Sequence, residues 1–132
     1  MDVHASQILL ASGRIALASL FILGALNKVF SFTETTERMV TAGLPLASVL
    51  LPAVIALEMI GGLIIASGLR IASWAGLILA VYTLAVNAVF HRFWEMQEPI
   101  RALELSLFFK NISIAGGLLV VAALALSKRN VP

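Results

Sequence analysis

The chain of 132 residues is 61% hydrophobic and only 12% charged, whereas soluble domains run near half apolar and about a quarter charged. That balance excludes a water-soluble fold, and the length leaves room for one domain, residues 1–132, made of four helices of about 20 residues each, with no separate catalytic domain. A net charge of +2 from scattered Lys and Arg excludes nucleic acid as a partner, and the absence of cysteine excludes disulfides, dithiol chemistry and thiolate-held iron–sulfur or zinc centres within this chain.

The first apolar run, about residues 5–26, follows Met-Asp-Val-His-Ala-Ser-Gln. That start lacks the basic region of a cleavable signal, so the run reads as a retained span ending at Asn27-Lys28. Glu34, Glu37, Arg38 and Met39 lie at helical spacing in the first connection, which predicts a short interfacial helix before the Gly43/Pro45 break. The second span covers about residues 46–67 and stops at Gly68, a favoured terminator. Only Leu69 and Arg70 then precede the third span at about 71–90, so these two form an antiparallel hairpin. His91-Arg92-Phe93-Trp94-Glu95 has the mixed polar and aromatic character of the headgroup region, Pro99 lies in the loop beyond, and the fourth span covers about residues 104–126 before Ser127-Lys128-Arg129.

The fold class is therefore all-α, an antiparallel four-helix bundle in the lipid bilayer. Both termini fall on one side, with loop one (31–45) and loop three (91–103) on the other. Arg70, Lys128 and Arg129 on the terminal side stand against Lys28, Arg38, Arg92 and Arg101 opposite, which does not decide orientation. Cytoplasmic termini are the expectation. Small residues four apart, as in Ala72/Gly76/Ala80, Ser12/Ala16 and Ser113/Gly117, together with the Gly61-Gly62 and Gly116-Gly117 pairs, predict close helix packing.

Three of the four spans carry one charge each, Arg14, Glu58 and Lys110. A charge at this depth costs about 2.5–3.5 kcal/mol, so it persists where it pairs, lines a cavity or does chemistry. A rise of about 1.5 Å per residue from the loop-one and loop-three face puts Arg14 at about 20 Å and Glu58 at about 18 Å. The expectation is a midplane Arg14–Glu58 ion pair. The alternatives are proton exchange by Glu58, or an anionic or carbonyl ligand oxygen held by Arg14.

Lys28 shares a stripe with Arg14, Leu17, Phe21 and Gly24, and reads either as snorkelling to the interface or as facing the same interior. Thr83, Asn87, His91 and Trp94 form a polar-aromatic edge on the third span, where Trp94 reads as an interfacial anchor or a site wall. Histidine is the side-chain type that titrates near neutral pH, which makes His91 the candidate for proton delivery. Lys110 and Asn111 lie about 10 Å deep, comparable with Asn87 at about 5–6 Å. They either pair structurally, Lys110 with Glu104 or Glu58, or hydrogen-bond a ligand. The catalytic candidates are thus His91 and Glu58, and the ligand-binding candidates Arg14, Lys28, Asn87, Trp94, Lys110 and Asn111. No metal-ligand spacing, phosphate loop or triad is visible, and His4 and His91 fall on opposite sides of the membrane, which disfavours bis-histidine haem.

Gly24-Ala25-Leu26-Asn27-Lys28 after an arginine-bearing span, Ala42-Gly43-Leu44-Pro45, and Glu58-Met59-Ile60-Gly61-Gly62 with its following Gly68 occur in that order. His91-Arg92-Phe93-Trp94 and then Phe109-Lys110-Asn111 with Gly116-Gly117 complete a pattern that resembles the DoxX family of small bacterial four-helix membrane proteins over almost the whole chain. The resemblance implies an inner-membrane bundle acting as an oxidoreductase component. Relatives include the small subunits of a thiosulfate:quinone oxidoreductase, and some members are linked to membrane complexes handling oxidative stress. The leading expectation is a quinone-linked or other redox-associated subunit with no intrinsic cofactor. It would hold quinone near His91, Trp94, Lys110 and Asn111, with Phe21 and Phe108 as walls and Arg14 and Glu58 as floor, and it would need a redox partner protein. The alternatives are a proton-coupled carrier or binding protein for a small polar or lipidic molecule, working as a homodimer, and a structural scaffold.

Overall fold

A computed structural model describes residues 2–127, so the expected Lys128-Arg129 stop lies outside the described residues. Helix α1 is Val3–Phe30, α2 Phe32–Thr41, α3 Ala47–Ser67, α4 Ala72–Phe90 and α5 Ile100–Ser127, with a short 3-10 turn at Phe93–Glu95. Four of these stretches are long and apolar enough to cross a membrane. Helices α1 and α5 run past the expected apolar limits, because no Gly or Pro interrupts Asn27–Phe30 or residues 100–103. The helical backbone therefore continues beyond the hydrophobic core.

Helix α2 forms as its amphipathic pattern requires. Arg38 and Glu34 pair at 2.7 Å on its outer face, while Met39 is buried with Ala47 and Leu51 against α3. Gly43, at φ 83°, and Leu46, at φ 53°, reverse the chain into α3. The Leu46 conformation is one that residues other than glycine adopt uncommonly.

Gly68, at φ 66°, closes α3, its N–H donating to the Ile65 carbonyl at 3.3 Å, and the chain returns antiparallel as α4. Helix α1 pairs closely with α3, and α4 with α5, while α3 and α4 join the two pairs and α1 meets α5 only sparsely. Small residues set these distances at Gly62 and Gly76, whereas Gly116 and Ser113, also expected at a helix contact, face outward. A Cβ on Gly62 would lie 2.9 Å from Ile22 Cγ1 and 3.2 Å from the Ala18 carbonyl, and one on Gly76 would lie 2.9 Å from the Leu118 carbonyl. Ala72 and Ala80 are buried with Gly76 between them, whereas Ser12 and Ala16 face outward. The outer surface is apolar, as in Ile15, Leu23, Val81 and Val120, which suits lipid.

The relative height of α1 and α3 differs from expectation. Gly24 lies beside Glu58, Ile22 and Ala18 beside Gly62, and Arg14 beside Gly68. Helix α1 is therefore displaced toward the terminal side, ending level with the interior of α3 rather than with its start. Helix α2 folds back alongside the first turns of α3, at the level that α1 was expected to reach.

Candidate functional site

That displacement overturns the Arg14–Glu58 pair. Arg14 lies against Gly68, ten residues along α3 from Glu58 and so about 15 Å away along the helix. Lys28 takes its place. Its Nζ donates to both carboxylate oxygens of Glu58, at 2.9 and 2.8 Å, and lies 3.4 Å from the Gly24 carbonyl. Lys28 is thus drawn into the bundle rather than snorkelling to the interface. The Tyr82 hydroxyl donates to Glu58 Oε1 at 2.5 Å. One acid from α3, one cation from α1 and one phenol from α4 form a closed centre, with Glu58 only 5% exposed.

Pairing on this scale lowers the insertion cost of both charges, and the hydroxyl satisfies a further lone pair that would otherwise be buried without a donor. Tyr82 was missed by the sequence reading. The signal was present, because it is the chain's single tyrosine and stands in the interior of an apolar span; a buried phenol of that kind needs a hydrogen-bond partner.

A second centre joins α4 to α5 nearer the loop face. Asn87, 1% exposed, donates from Nδ2 to the Phe108 carbonyl at 3.1 Å. Asn111 donates from Nδ2 to Asn87 Oδ1 at 3.1 Å. One turn further along α4, His91 Nδ1 lies 2.7 Å from Glu104 Oε2. Thr83 satisfies itself on the Leu79 carbonyl at 2.7 Å. The expected polar edge therefore exists at Asn87 and His91, while Trp94 lies beyond the end of α4 in the Phe93–Glu95 turn; Glu104, which the sequence reading offered to Lys110, belongs to His91.

Lys110 does not join this centre. It is exposed on the outside of α5, and no hydrogen bond or ion pair holds it among the described residues. Phe93, Trp94, Phe108 and Phe109 pack edge to face beside the polar groups, with centroids 5.2 Å apart for Phe93–Trp94 and 5.9 Å for Trp94–Phe108. Phe21 is not part of this wall; it is 4% exposed and packs in the core at the level of Gly62. Glu58 does not belong here either, since nine residues of α4, about 13 Å, separate Tyr82 from His91. No cluster of three or more His, Cys, Asp or Glu suited to a metal ion occurs among the described residues.

An interfacial cleft of about 520 Å³ opens on the same membrane face between α2 and the end of α4. Phe90, Val89 and Met96 form its apolar floor and Glu37, Arg38 and Arg92 its rim. Neither His91 nor Glu104 lines it, so the two are separate features.

The fold and its buried centres define a small four-helix membrane bundle held by polar contacts between neighbouring helices. The model of the DoxX family matches residues 9–92, and the chain belongs to that family. It is 29% identical over 118 residues to the inner membrane protein YphA of Escherichia coli K12, covering 89% of this chain and 84% of that protein. It is 35% identical over 109 residues to the inner membrane protein YqjF of the same organism, covering 83% and 78%. No solved structure matches. With its four spanning helices, the protein is a multi-pass inner membrane protein. The family match ends at Arg92, so Glu104, Phe108 and Asn111 on α5 lie beyond it.

Proposed function

We propose that the protein is a quinone-linked or otherwise redox-associated membrane subunit whose ligand sits against the α4–α5 edge at the loop face. The observation that carries this reading is the His91 Nδ1–Glu104 Oε2 contact of 2.7 Å beside the Trp94–Phe108 aromatic pair. A carboxylate on Nδ1 fixes the imidazole and leaves Nε2 as the nitrogen that exchanges a proton with a ligand. Trp94 and Phe109, 54% and 56% exposed, offer aromatic faces to the lipid, the phase from which an isoprenoid compound arrives.

A quinone, when bound, supplies two-electron, two-proton carriage between its oxidised and reduced forms. The chain's own residues supply the rest. His91 holds or releases a proton at Nε2, Glu104 balances the charge of the imidazolium, and the Asn87–Asn111 pair fixes the distance between the two helices that carry them. The chain has no cysteine to relay electrons, so they come from a partner protein.

The test uses a Trp74→Phe background, which leaves Trp94 as the single tryptophan. A ubiquinone or menaquinone analogue titrated into the protein in mild detergent is expected to quench Trp94 saturably. His91→Ala is expected to weaken binding by about tenfold, the size of one lost hydrogen bond to a charged group. Absence of saturable quenching, with a cellular phenotype indifferent to His91→Ala, overturns the reading.

A proton-coupled carrier is the second reading, and the observation that favours it is the burial of Glu58 with a basic partner that is itself 24% exposed. Flux into proteoliposomes that follows a proton gradient and stops in Glu58→Gln distinguishes it from the first.

A further inference from the structure

The displacement of α1 leaves Arg14 at the terminal-side end of the molecule, apart from both polar centres. It meets the turn between α3 and α4 so closely that a Cβ on Gly68 would collide with its guanidinium. Gly68 therefore serves twice, adopting a left-handed φ of 66° and giving the cation a flat backbone to lie on. Arg14 Nε is buried without a hydrogen-bond partner. None of the guanidinium's donors is matched to an acceptor side chain among the described residues, in a protein whose other buried side-chain polar atoms are all satisfied there.

No acidic side chain among the described residues answers this cation, Glu37 lying on α2 at the opposite face. Asp2, at the start of α1, is twelve residues and so about 18 Å along the helix from Arg14. Glu58 is committed to Lys28 and Tyr82, and Glu34, Glu95, Glu98 and Glu104 pair with Arg or His at the opposite face. Arg70, exposed in the turn itself, lines the same small hollow of about 40 Å³ as Arg14. Leu10, Val121 and Leu124 form its apolar side, and Leu10 and Leu124 also face outward.

The level of this hollow fixes what can reach it. It sits at the end of α3, whose 21 residues cross the hydrocarbon layer, so the two arginines lie where lipid phosphates lie. Guanidinium groups bind phosphate oxygens through paired, charge-assisted hydrogen bonds, and acyl chains lie readily along leucine and valine. We propose that Arg14 and Arg70 form a binding site for the phosphate of an anionic glycerophospholipid in the leaflet on the terminal side, with its acyl chains against Leu10, Val121 and Leu124. The same guanidinium chemistry would accept free phosphate, and the test separates the two sources.

Full-length protein in a non-ionic detergent is titrated with phosphatidylglycerol, phosphatidylcholine or inorganic phosphate and read by native mass spectrometry. The first phosphatidylglycerol is expected to bind the wild type at least about tenfold more tightly than it binds Arg14→Gln, one charge-assisted hydrogen-bonded contact being lost. Phosphatidylcholine, whose choline cation meets Arg70, is expected to bind more weakly than phosphatidylglycerol. Arg70→Gln changes an exposed side chain and provides a folded variant if Arg14→Gln does not fold; it is expected to weaken phosphatidylglycerol several-fold. Arg101→Gln, on the opposite face, is expected to bind as the wild type. Displacement of the lipid by millimolar inorganic phosphate supports the arginine site while assigning it to free anions as well. Equal binding of phosphatidylglycerol by the wild type, Arg14→Gln and Arg70→Gln overturns the proposal.

Discussion

Lys28 and Glu58, thirty residues apart in the chain, meet through both carboxylate oxygens inside the bundle, at 2.9 and 2.8 Å. A buried pair of this kind costs desolvation when formed but costs more when one member is removed, because the survivor is left charged and alone. Lys28→Met or Glu58→Met alone is therefore expected to lose about 3 kcal/mol of stability, while the double variant stays within about 1 kcal/mol of the wild type. Equilibrium unfolding of all four proteins in mixed micelles measures the coupling. Additive losses would remove the pair from the account of stability.

Tyr82 completes that centre through its hydroxyl, which donates to Glu58 Oε1. Tyr82→Phe keeps the ring and removes only the donor, so it is expected to cost about 1–2 kcal/mol in the wild-type background. In the Lys28→Met/Glu58→Met background the same change is expected to cost almost nothing, since the acceptor is gone. A loss of equal size in both backgrounds would mean that the ring position, and not the hydrogen bond, carries the effect.

The glycines divide sharply by what a methyl group would meet. At Gly62 it would press on Ile22 Cγ1 at 2.9 Å and the Ala18 carbonyl at 3.2 Å, whereas at Gly116 nothing lies within 4 Å. Gly62→Ala is expected to separate α1 from α3 and cost about 1–3 kcal/mol, the range for overpacking. Gly116→Ala is expected to be neutral or to stabilise by up to about 1 kcal/mol through helix propensity. Thermal melts of the two variants in one detergent check the contrast.

Asn87 links α4 to α5 at two points, as donor to the Phe108 carbonyl and acceptor from Asn111. Asn87→Leu is expected to cost about 1–2 kcal/mol, because the Asn111 amide loses its acceptor while remaining partly buried. Asn87→Leu/Asn111→Leu is expected to recover most of that loss, because no buried amide then lacks a partner. Mixed-micelle unfolding of the single and double variants decides it, and a double variant no more stable than the single would show that shape rather than hydrogen bonding is at stake.

Much of the architecture was legible because lipid imposes strict rules on sequence. Four apolar runs, the amphipathic 34–39 segment and the short connection at Leu69-Arg70 lead to four spans, a surface helix and an antiparallel hairpin without further information. The polar edge at Asn87 and His91 was also readable, since helical spacing alone places them on one face. Depth was not. Counting residues from Asn27 and Leu46 assumes that both helices begin at the same height, and the displacement of α1 breaks that assumption. The shift exchanged the partner of Glu58 from Arg14 to Lys28. Glu104 escaped for a similar reason, as its distance from His91 depends on how loop three folds rather than on any periodicity.

The helix pairing described above also orders the events of synthesis. Because α1 leans on α3 and α4 on α5, the groups of the two buried polar centres are joined one spanning helix after another as they leave the ribosome: Lys28 waits for Glu58, Glu58 for Tyr82, and Asn87 for Asn111. No such group depends on the first helix meeting the last. A nascent chain halted before Glu58 would expose an unneutralised lysine to the translocon, whereas one halted after Tyr82 would already hold its deepest charges in a closed set.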